Sequence, residues 1–405
     1  MTPTTGHAAP AAAEETRVIG LVSAAHLVSH YYILLLAPLF VLIRDDFGVS
    51  YTELGLALAA FNAVTMVVQT PAGFLVDRVS ARAVLTGGLL IGAAALVGAA
   101  TLPSFWAFVA MFGLLGLGNS AYHPAGYALL SQRVSPVRMG RAYSLHTFAG
   151  MVGSAAAPPA LFLLASQFGW RGAFLASAAL GFAVAALLIV FGDPLSGPVS
   201  AHGRKAAGEE AGNGASLLLS PPILINLAFF ALLALFSNGV QNFSVVALLD
   251  LYGTPLQVSN TALSGYLAMS AAGVLAGGVL AARTNRHDHV AIASLVVFAA
   301  ITLLIAFVEL PALALVTLTG IAGLSNGVIM PARDLLVRAI TPPGAFGKVF
   351  GFVTSGFNIG GIVSPLLFGW LLDHGNPRGV FIAAALLSLI CIPTVTLTVA
   401  RMRAR

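Results

Sequence analysis

Gly113-Leu114-Leu115-Gly116-Leu117-Gly118-Asn119-Ser120-Ala121-Tyr122-His123-Pro124 has an echo further down the chain, Gly320-Ile321-Ala322-Gly323-Leu324-Ser325-Asn326-Gly327-Val328-Ile329-Met330-Pro331. Gly113, Gly116, Asn119 and Pro124 return as Gly320, Gly323, Asn326 and Pro331, each at an offset of 207. The same offset carries Gly140, Thr147, Pro158, Arg171, Gly172 and Phe174 onto Gly347, Thr354, Pro365, Arg378, Gly379 and Phe381. A duplication of about half the chain explains identical residues at one fixed spacing through so long a window. In a membrane protein, parallel repeats with a binding site between them are the plan of a secondary transporter.

The membrane is implied by composition alone. Of 405 residues, 58% are hydrophobic and only 8% are charged, outside the range of soluble domains. A span needs about 20 mostly apolar residues. Hydropathy runs predict twelve, near 20–43, 51–72, 83–102, 105–130, 142–166, 171–191, 222–249, 259–281, 290–308, 312–338, 347–372 and 379–400. The expected fold is therefore all-α, with twelve transmembrane helices in two six-helix, pseudo-symmetric bundles. Expected units are a disordered tail over 1–19, bundles over 20–192 and 218–400, a linker over 193–217 and a short tail over 401–405.

The net charge of +5 reflects loop bias rather than nucleic-acid binding. Arg78, Arg82, Arg133, Arg138, Arg141, Arg204, Lys205, Arg283, Arg286, Arg338, Lys348, Arg401, Arg403 and Arg405 fall on one side of the predicted layout. Arg44, Arg171 and Arg378 fall on the other. The positive-inside rule then puts both termini and the linker in the cytoplasm. The chain is expected in the inner membrane, as a monomer within the lipid bilayer. The single cysteine, Cys391, excludes an internal disulfide. No basic leader or small-residue cleavage site frames the first apolar run, which reads as a retained span.

Polar residues inside the spans are the candidate functional groups. Span one carries Ser23, His26 and His30 on one face, since residues three or four apart are neighbours on a helix. Its end, Asp45-Asp46-Phe47-Gly48, is answered near the end of span seven by Asp250-Leu251-Tyr252-Gly253, at an offset of 205. Span two contributes Asn62 and Gln69; span four Asn119, Tyr122 and His123, with Pro124 freeing a carbonyl near Ser120. Span seven adds Ser237, Asn238, Gln241 and Asn242, an amide-rich face. Span ten adds Asn326, Arg333 and Asp334, and span eleven Asn358.

The turn Gly73-Phe74-Leu75-Val76-Asp77-Arg78-Val79-Ser80-Ala81-Arg82 resembles the signature loop of the major facilitator superfamily between its second and third helices. Ser80 and Ala81 depart from the family pattern, and the corresponding turn of the second half keeps Arg283 but has Ala282 in place of the acid. The His123-Pro124 pair resembles the fosmidomycin-resistance-like efflux branch. The resemblance implies alternating access, with spans one, four, seven and ten lining a central cavity. It also implies gating roles for Gly73, Asp77, Arg78, Arg82 and Arg133, with Asp77 expected to pair with Arg133 or a nearby helix N-terminus.

Expected substrate-binding residues are His30, Asn62, Asn119, Tyr122, Asn238, Gln241, Asn242, Asn326, Arg333 and Asn358. Carboxylates other than Asp334 fall at helix ends or in loops, so proton coupling is expected at His30 and His123, with Asp334 in reserve. The alternative is that each imidazole bonds a neighbouring carbonyl and tunes packing. His26 and His30 lack a carboxylate or thiol in their own span, so no metal site is expected. Adjacent residues point apart on a helix, so Arg333 and Asp334 are expected to pair elsewhere, Arg333 as substrate anchor or gate. Gly116-Leu117-Gly118 lacks the strand context of a nucleotide site, no ATP-binding loop is present, and no nucleophile–base arrangement suggests an enzyme. No cofactor is expected. The leading function is proton-coupled export of a small organic molecule. The alternative is uptake of a small organic anion, followed by a non-transporting membrane sensor.

Overall fold

The computed structural model describes residues 12–195, 217–284, 286–342 and 346–403. Among these the chain is helical, with no strand. In chain order the helices are α1 (Ala12–Ile33), α2 (Phe40–Phe47), α3 (Tyr51–Arg78), α4 (Ala81–Thr101), α5 (Phe105–Asn119), α6 (Tyr122–Arg133) and α7 (Pro136–Phe191). After the linker come α8 (Pro221–Tyr252), α9 (Leu256–Arg283), α10 (His287–Phe307), α11 (Ala312–Ile340), α12 (Phe346–Asp373) and α13 (Pro377–Arg403).

Eleven of the helical stretches are long and apolar enough to cross a membrane, counting α1–α2 and α5–α6 as one crossing each. The twelfth crossing lies inside α7. At about 1.5 Å per residue its 56 residues exceed any bilayer. Gly169 interrupts them with φ 68° and ψ 173°, a left-handed conformation that costs glycine nothing. The two segments match the predicted fifth and sixth spans. A helix needs no partner for its backbone in lipid, which is why apolar runs fix the spans so well.

The repeat is visible in backbone geometry. Only four described residues have left-handed φ: Gly48 (65°), Gly169 (68°), Gly253 (64°) and Gly375 (66°). Gly48 and Gly253 each end a helix and lie 205 apart. Gly169 and Gly375 each separate the last two crossings of a half. Interhelical contacts repeat too. A Cβ on Gly116 would strike the Phe61 carbonyl, and one on Gly323 the Tyr266 carbonyl. α1 packs on α7, α4 on α5 and α7, and α3 on α5; in the second half α8 packs on α12 and α13, and α9 and α10 on α11. Between the halves, α3 meets α12 and α7 meets α9.

Two expectations are corrected. The tail is helical from Ala12, because Glu15, only 3% exposed, accepts the Ser135 amide (3.0 Å) and Arg138 Nη1 (3.0 Å). Those polar residues secure the start of α1 against the start of α7. Residues 1–11 lie outside the description, as do 196–216 of the predicted linker. Span one is also discontinuous. Helix α1 stops at Ile33, the buried Leu34–Leu36 turn away, and Ala37–Leu39 form a 3-10 turn before α2. Pro38, which has no amide hydrogen to give, sits in that turn.

Candidate functional site

Four imidazoles meet in the first half. His26 and His30 come from α1, His123 from the first turn of α6, and His146 from α7. His26 stacks on His146 with centroids 3.9 Å apart and approaches His30 and His123 edge-on at 4.6 and 5.4 Å. His26 Nδ1 lies 2.8 Å from the His146 carbonyl, and His30 Nδ1 lies 3.2 Å from Ser154 Oγ. Gly150 makes the room: a Cβ there would meet His26 Cε1 at 2.7 Å and His30 Cδ2 at 3.0 Å. The break between α5 and α6 at Ser120–Ala121, where Pro124 was expected to free a carbonyl, places His123 on a fresh helix start. His26 and His146 are buried, whereas His30 and His123 are partly exposed.

His146 was missed because it stands on span five, far in sequence from the histidines of spans one and four, and nothing in the sequence links it to them. The expectation of no metal site counted donors on span one only; the fold brings donors from two further helices.

The remaining predicted binding residues are held as follows. Asn119 ends α5, and Tyr122 is buried with its hydroxyl unpaired. Asn62 donates to its own helix at Leu58 O (2.8 Å) and packs on Gly361 of α12. In the second half, Ser237 Oγ donates to Asn326 Oδ1 (3.0 Å) and Asn242 Nδ2 to Asn238 O (3.0 Å), leaving Asn242 Oδ1 unpaired. Gln241 and Asn358 are half-buried on α8 and α12. A cavity of about 290 Å³ lined by Leu248, Tyr252, Thr254, Glu309 and Leu315 among others lies in the second half and includes none of the predicted site residues.

Arg333 and Asp334 correct an expectation. Rather than pairing elsewhere, they pair with each other: Arg333 Nε and Nη2 lie 2.8 and 2.7 Å from Asp334 Oδ1. The long guanidinium stem curls back along the helix, and the cation lies against the rings of Phe230 (4.4 Å) and Phe357 (4.9 Å). Its third nitrogen faces Met330 Sδ at 3.0 Å. The cation is thus buried and neutralised, while the carboxylate remains 44% exposed. Asp334 is within electrostatic reach of Tyr127, whose ring borders His123 and His146.

The halves are fastened at the opposite end. Asp373, last residue of α12, accepts the amides of Tyr51 and Thr52 at 2.8 Å each, and also the Thr52 hydroxyl. A carboxylate on the first amides of α3 satisfies orphan donors and sits at the positive end of the helix dipole. Beside it, Arg44 donates to the Tyr51 hydroxyl (2.6 Å), and Asp250 of α8 is within electrostatic reach of both. Close approaches of α3 to α12 at Gly55, Asn62 and Gly369 fall in the half of α3 nearest Asp373. The sequence ranked Asp373 only as an end-of-span acid.

The predicted gating residues sit at the termini end. Gly73 faces Pro124 at 3.9 Å, so α3 approaches α6 there. Arg82 bonds the Leu188 and Ile189 carbonyls (3.1 and 2.7 Å) at the end of α7, and Asp193 at 3.6 Å. All these partners belong to its own half. Arg78 is exposed, and Arg133 has Nε and Nη2 buried without partners. The side chain of Asp77 lies outside the described residues.

A helical membrane protein built from two repeated halves, with ionisable groups inside one and a pinned contact between them, has the form of a secondary transporter. The family model of the Major Facilitator Superfamily matches residues 22–288 and 227–404, and the chain belongs to that superfamily. The chain is 24% identical over 390 residues to the fosmidomycin resistance protein of Escherichia coli K12, covering 94% of this chain and 92% of that one. It is 26% identical over 321 residues to the multidrug resistance protein MdtG of Citrobacter koseri, covering 77% and 76%. Among solved structures, a bacterial homologue of the human lysosomal transporter Spinster, in an inward-facing and occupied conformation, superposes with TM-score 0.81. That pair is 14% identical, covering 96% of this chain and 98% of the other. The nucleoside transporter NupG gives 0.79 at 14% identity, covering 95% and 99%. These two share the fold.

Proposed function

We propose that this transporter exports a small organic molecule across the inner membrane in exchange for protons, acting as a monomer by alternating access. The proposed rigid units are residues 20–192 and 218–400, joined through the linker at 193–217. Both termini and the linker are taken as cytoplasmic, from the arginine bias, so the Asp373 end faces outward. The observation that carries the coupling reading is the gathering of four imidazoles on α1, α6 and α7. The carboxylates of that half stand at helix ends or, for Asp77, at the loop turn. Imidazole is the side chain whose ordinary titration lies nearest neutral pH. Export is supported by two relatives that are resistance proteins, the fosmidomycin resistance protein and MdtG. Arg333, which with the histidines would anchor an organic anion in an uptake carrier, already holds the Asp334 carboxylate.

The test is transport in proteoliposomes under an imposed pH gradient, screening organic antibiotics identified by raised tolerance in a susceptible host expressing the protein. Uphill efflux that stops in His30→Gln or His123→Gln, while downhill exchange persists, supports the reading. If both variants still drive uphill movement, the imidazoles are structural and Asp334 becomes the coupling group. Reporter fusions at Lys205 and Arg405 check the topology, and a periplasmic signal from either overturns it.

A further inference from the structure

We propose that His26, His30 and His123 form a binding site for a divalent late transition-metal ion of the zinc or nickel type. One ring nitrogen from each lies within 4.8 Å of the other two. The set spans two helices, so the ion would bridge α1 to α6.

The hydrogen bond at His26 already sets the tautomer that a metal needs there. A carbonyl only accepts, so His26 Nδ1, at 2.8 Å from the His146 carbonyl, carries the hydrogen. The lone pair is then on Nε2, which is buried and has no partner in the protein. A ring that donates through one nitrogen to a backbone carbonyl and offers the other is the usual dress of a metal-bound histidine. His30 is held through Nδ1, 3.2 Å from Ser154 Oγ, a hydroxyl that can accept from it or donate to it. Were packing the only role of these rings, a buried unpaired nitrogen at their centre would be a standing cost with nothing set against it.

Chemistry narrows the ion. Three neutral nitrogens and no carboxylate among the three suit zinc, nickel, cobalt or copper and not magnesium or calcium. Zinc–nitrogen bonds of about 2.0–2.1 Å put tetrahedral ligands about 3.4 Å apart, so the rings must draw in from 4.8 Å. Side-chain rotation covers that difference, because His26 and His30 share one face of α1 and His123 stands on the first turn of α6. His146 stacks face-to-face on His26 and serves through its carbonyl. Three protein donors leave a fourth position, and the partial exposure of His30 and His123 opens it to water or to a donor atom of a cargo molecule.

The experiment is calorimetric titration of the purified full-length chain with zinc chloride, any polyhistidine tag removed. His287→Gln with His289→Gln serves as the background, since those two flank Asp288 and could chelate weakly. One ion per chain is expected, with at least tenfold weaker binding after His30→Gln or His123→Gln and no change after His374→Gln. Zinc should raise the melting temperature of the background protein and not of the two variants. Should one variant not fold, the other carries the comparison. Absence of binding in the background protein, or unchanged affinity in the folded variants, overturns the proposal. The measurement uses no gradient and no organic substrate, so it stands or falls apart from the export reading.

Discussion

The two halves descend from one repeat, yet they hold their polar groups differently. In the first, the helix carrying Asn119 and Pro124 breaks at Ser120–Ala121, and the helix carrying His26 and His30 breaks at Leu34–Leu36. In the second, α11 runs unbroken through Asn326 and Pro331, and α8 through its amides. Asn326 is fixed by Ser237, and the buried cation Arg333 is paired with its neighbour. Inside the spans, the first half gathers imidazoles, and the second holds amides and a neutralised arginine. Duplication supplied the scaffold; chemistry then diverged on it.

That comparison is most exposed at the shared contacts. Gly116 and Gly323 occupy equivalent seats, each against a backbone carbonyl that a Cβ would strike. Gly116→Val and Gly323→Val should each destabilise by about 3 kcal/mol or more, as overpacking against rigid backbone does. Melting temperatures in detergent would show it. A large loss at Gly116 with none at Gly323 would break the equivalence.

Next comes the fastening at Asp373. Asp373→Asn keeps the shape but removes a charge that caps α3 from across the halves, a loss of about 2 kcal/mol for that closed end. Spin labels at Val49→Cys and Thr254→Cys, in a Cys391→Ser background, should move apart in a larger fraction of molecules. An unchanged distance distribution would show that Arg44, Tyr51 and Asp250 hold that end without it.

The fold was legible because backbone in lipid must satisfy itself, so apolar length and repeat offset are nearly sufficient. The site was only partly legible. His30 and His123 announced themselves by type and by Pro124, but His146 stands among Tyr143, Ser144 and Thr147 on another span and meets the others through packing beside Gly150. Arg333–Asp334 misled because the facing rule speaks of Cβ directions, and a long arginine can fold back over its own neighbour. Glu15 and Asp373 were passed over for a common reason. Each caps a helix remote in sequence, and capping across helices leaves no periodic trace.

A smaller effect is expected from Arg333→Lys. Lysine keeps the charge but not the planar fork lying against Phe230 and Phe357 while bonding Asp334. Stability should fall by about 1.5 kcal/mol. Once a ligand is found, its affinity should change less than threefold while turnover slows, about 0.7 kcal/mol at most in binding. A tenfold loss of affinity would restore the anion anchor and make the second half a binding surface.

The smallest effect separates gating from housekeeping at the signature turn. Arg82 belongs to the motif by sequence, yet it bonds the Leu188 and Ile189 carbonyls and Asp193 of its own half. A guanidinium over the last carbonyls of α7 satisfies acceptors that the helix leaves open and opposes the negative end of its dipole. A gate residue, by contrast, must exchange partners between conformations, and so its removal changes rate. Arg82→Gln should therefore lower stability by about 1 kcal/mol, because partly exposed caps are worth little more. Transport per folded molecule should stay within twofold of the parent, measured at equal membrane abundance. A several-fold change in rate with the melting temperature intact would assign Arg82 a partner in the second half during the cycle. The two halves would then be fastened at both ends by charge.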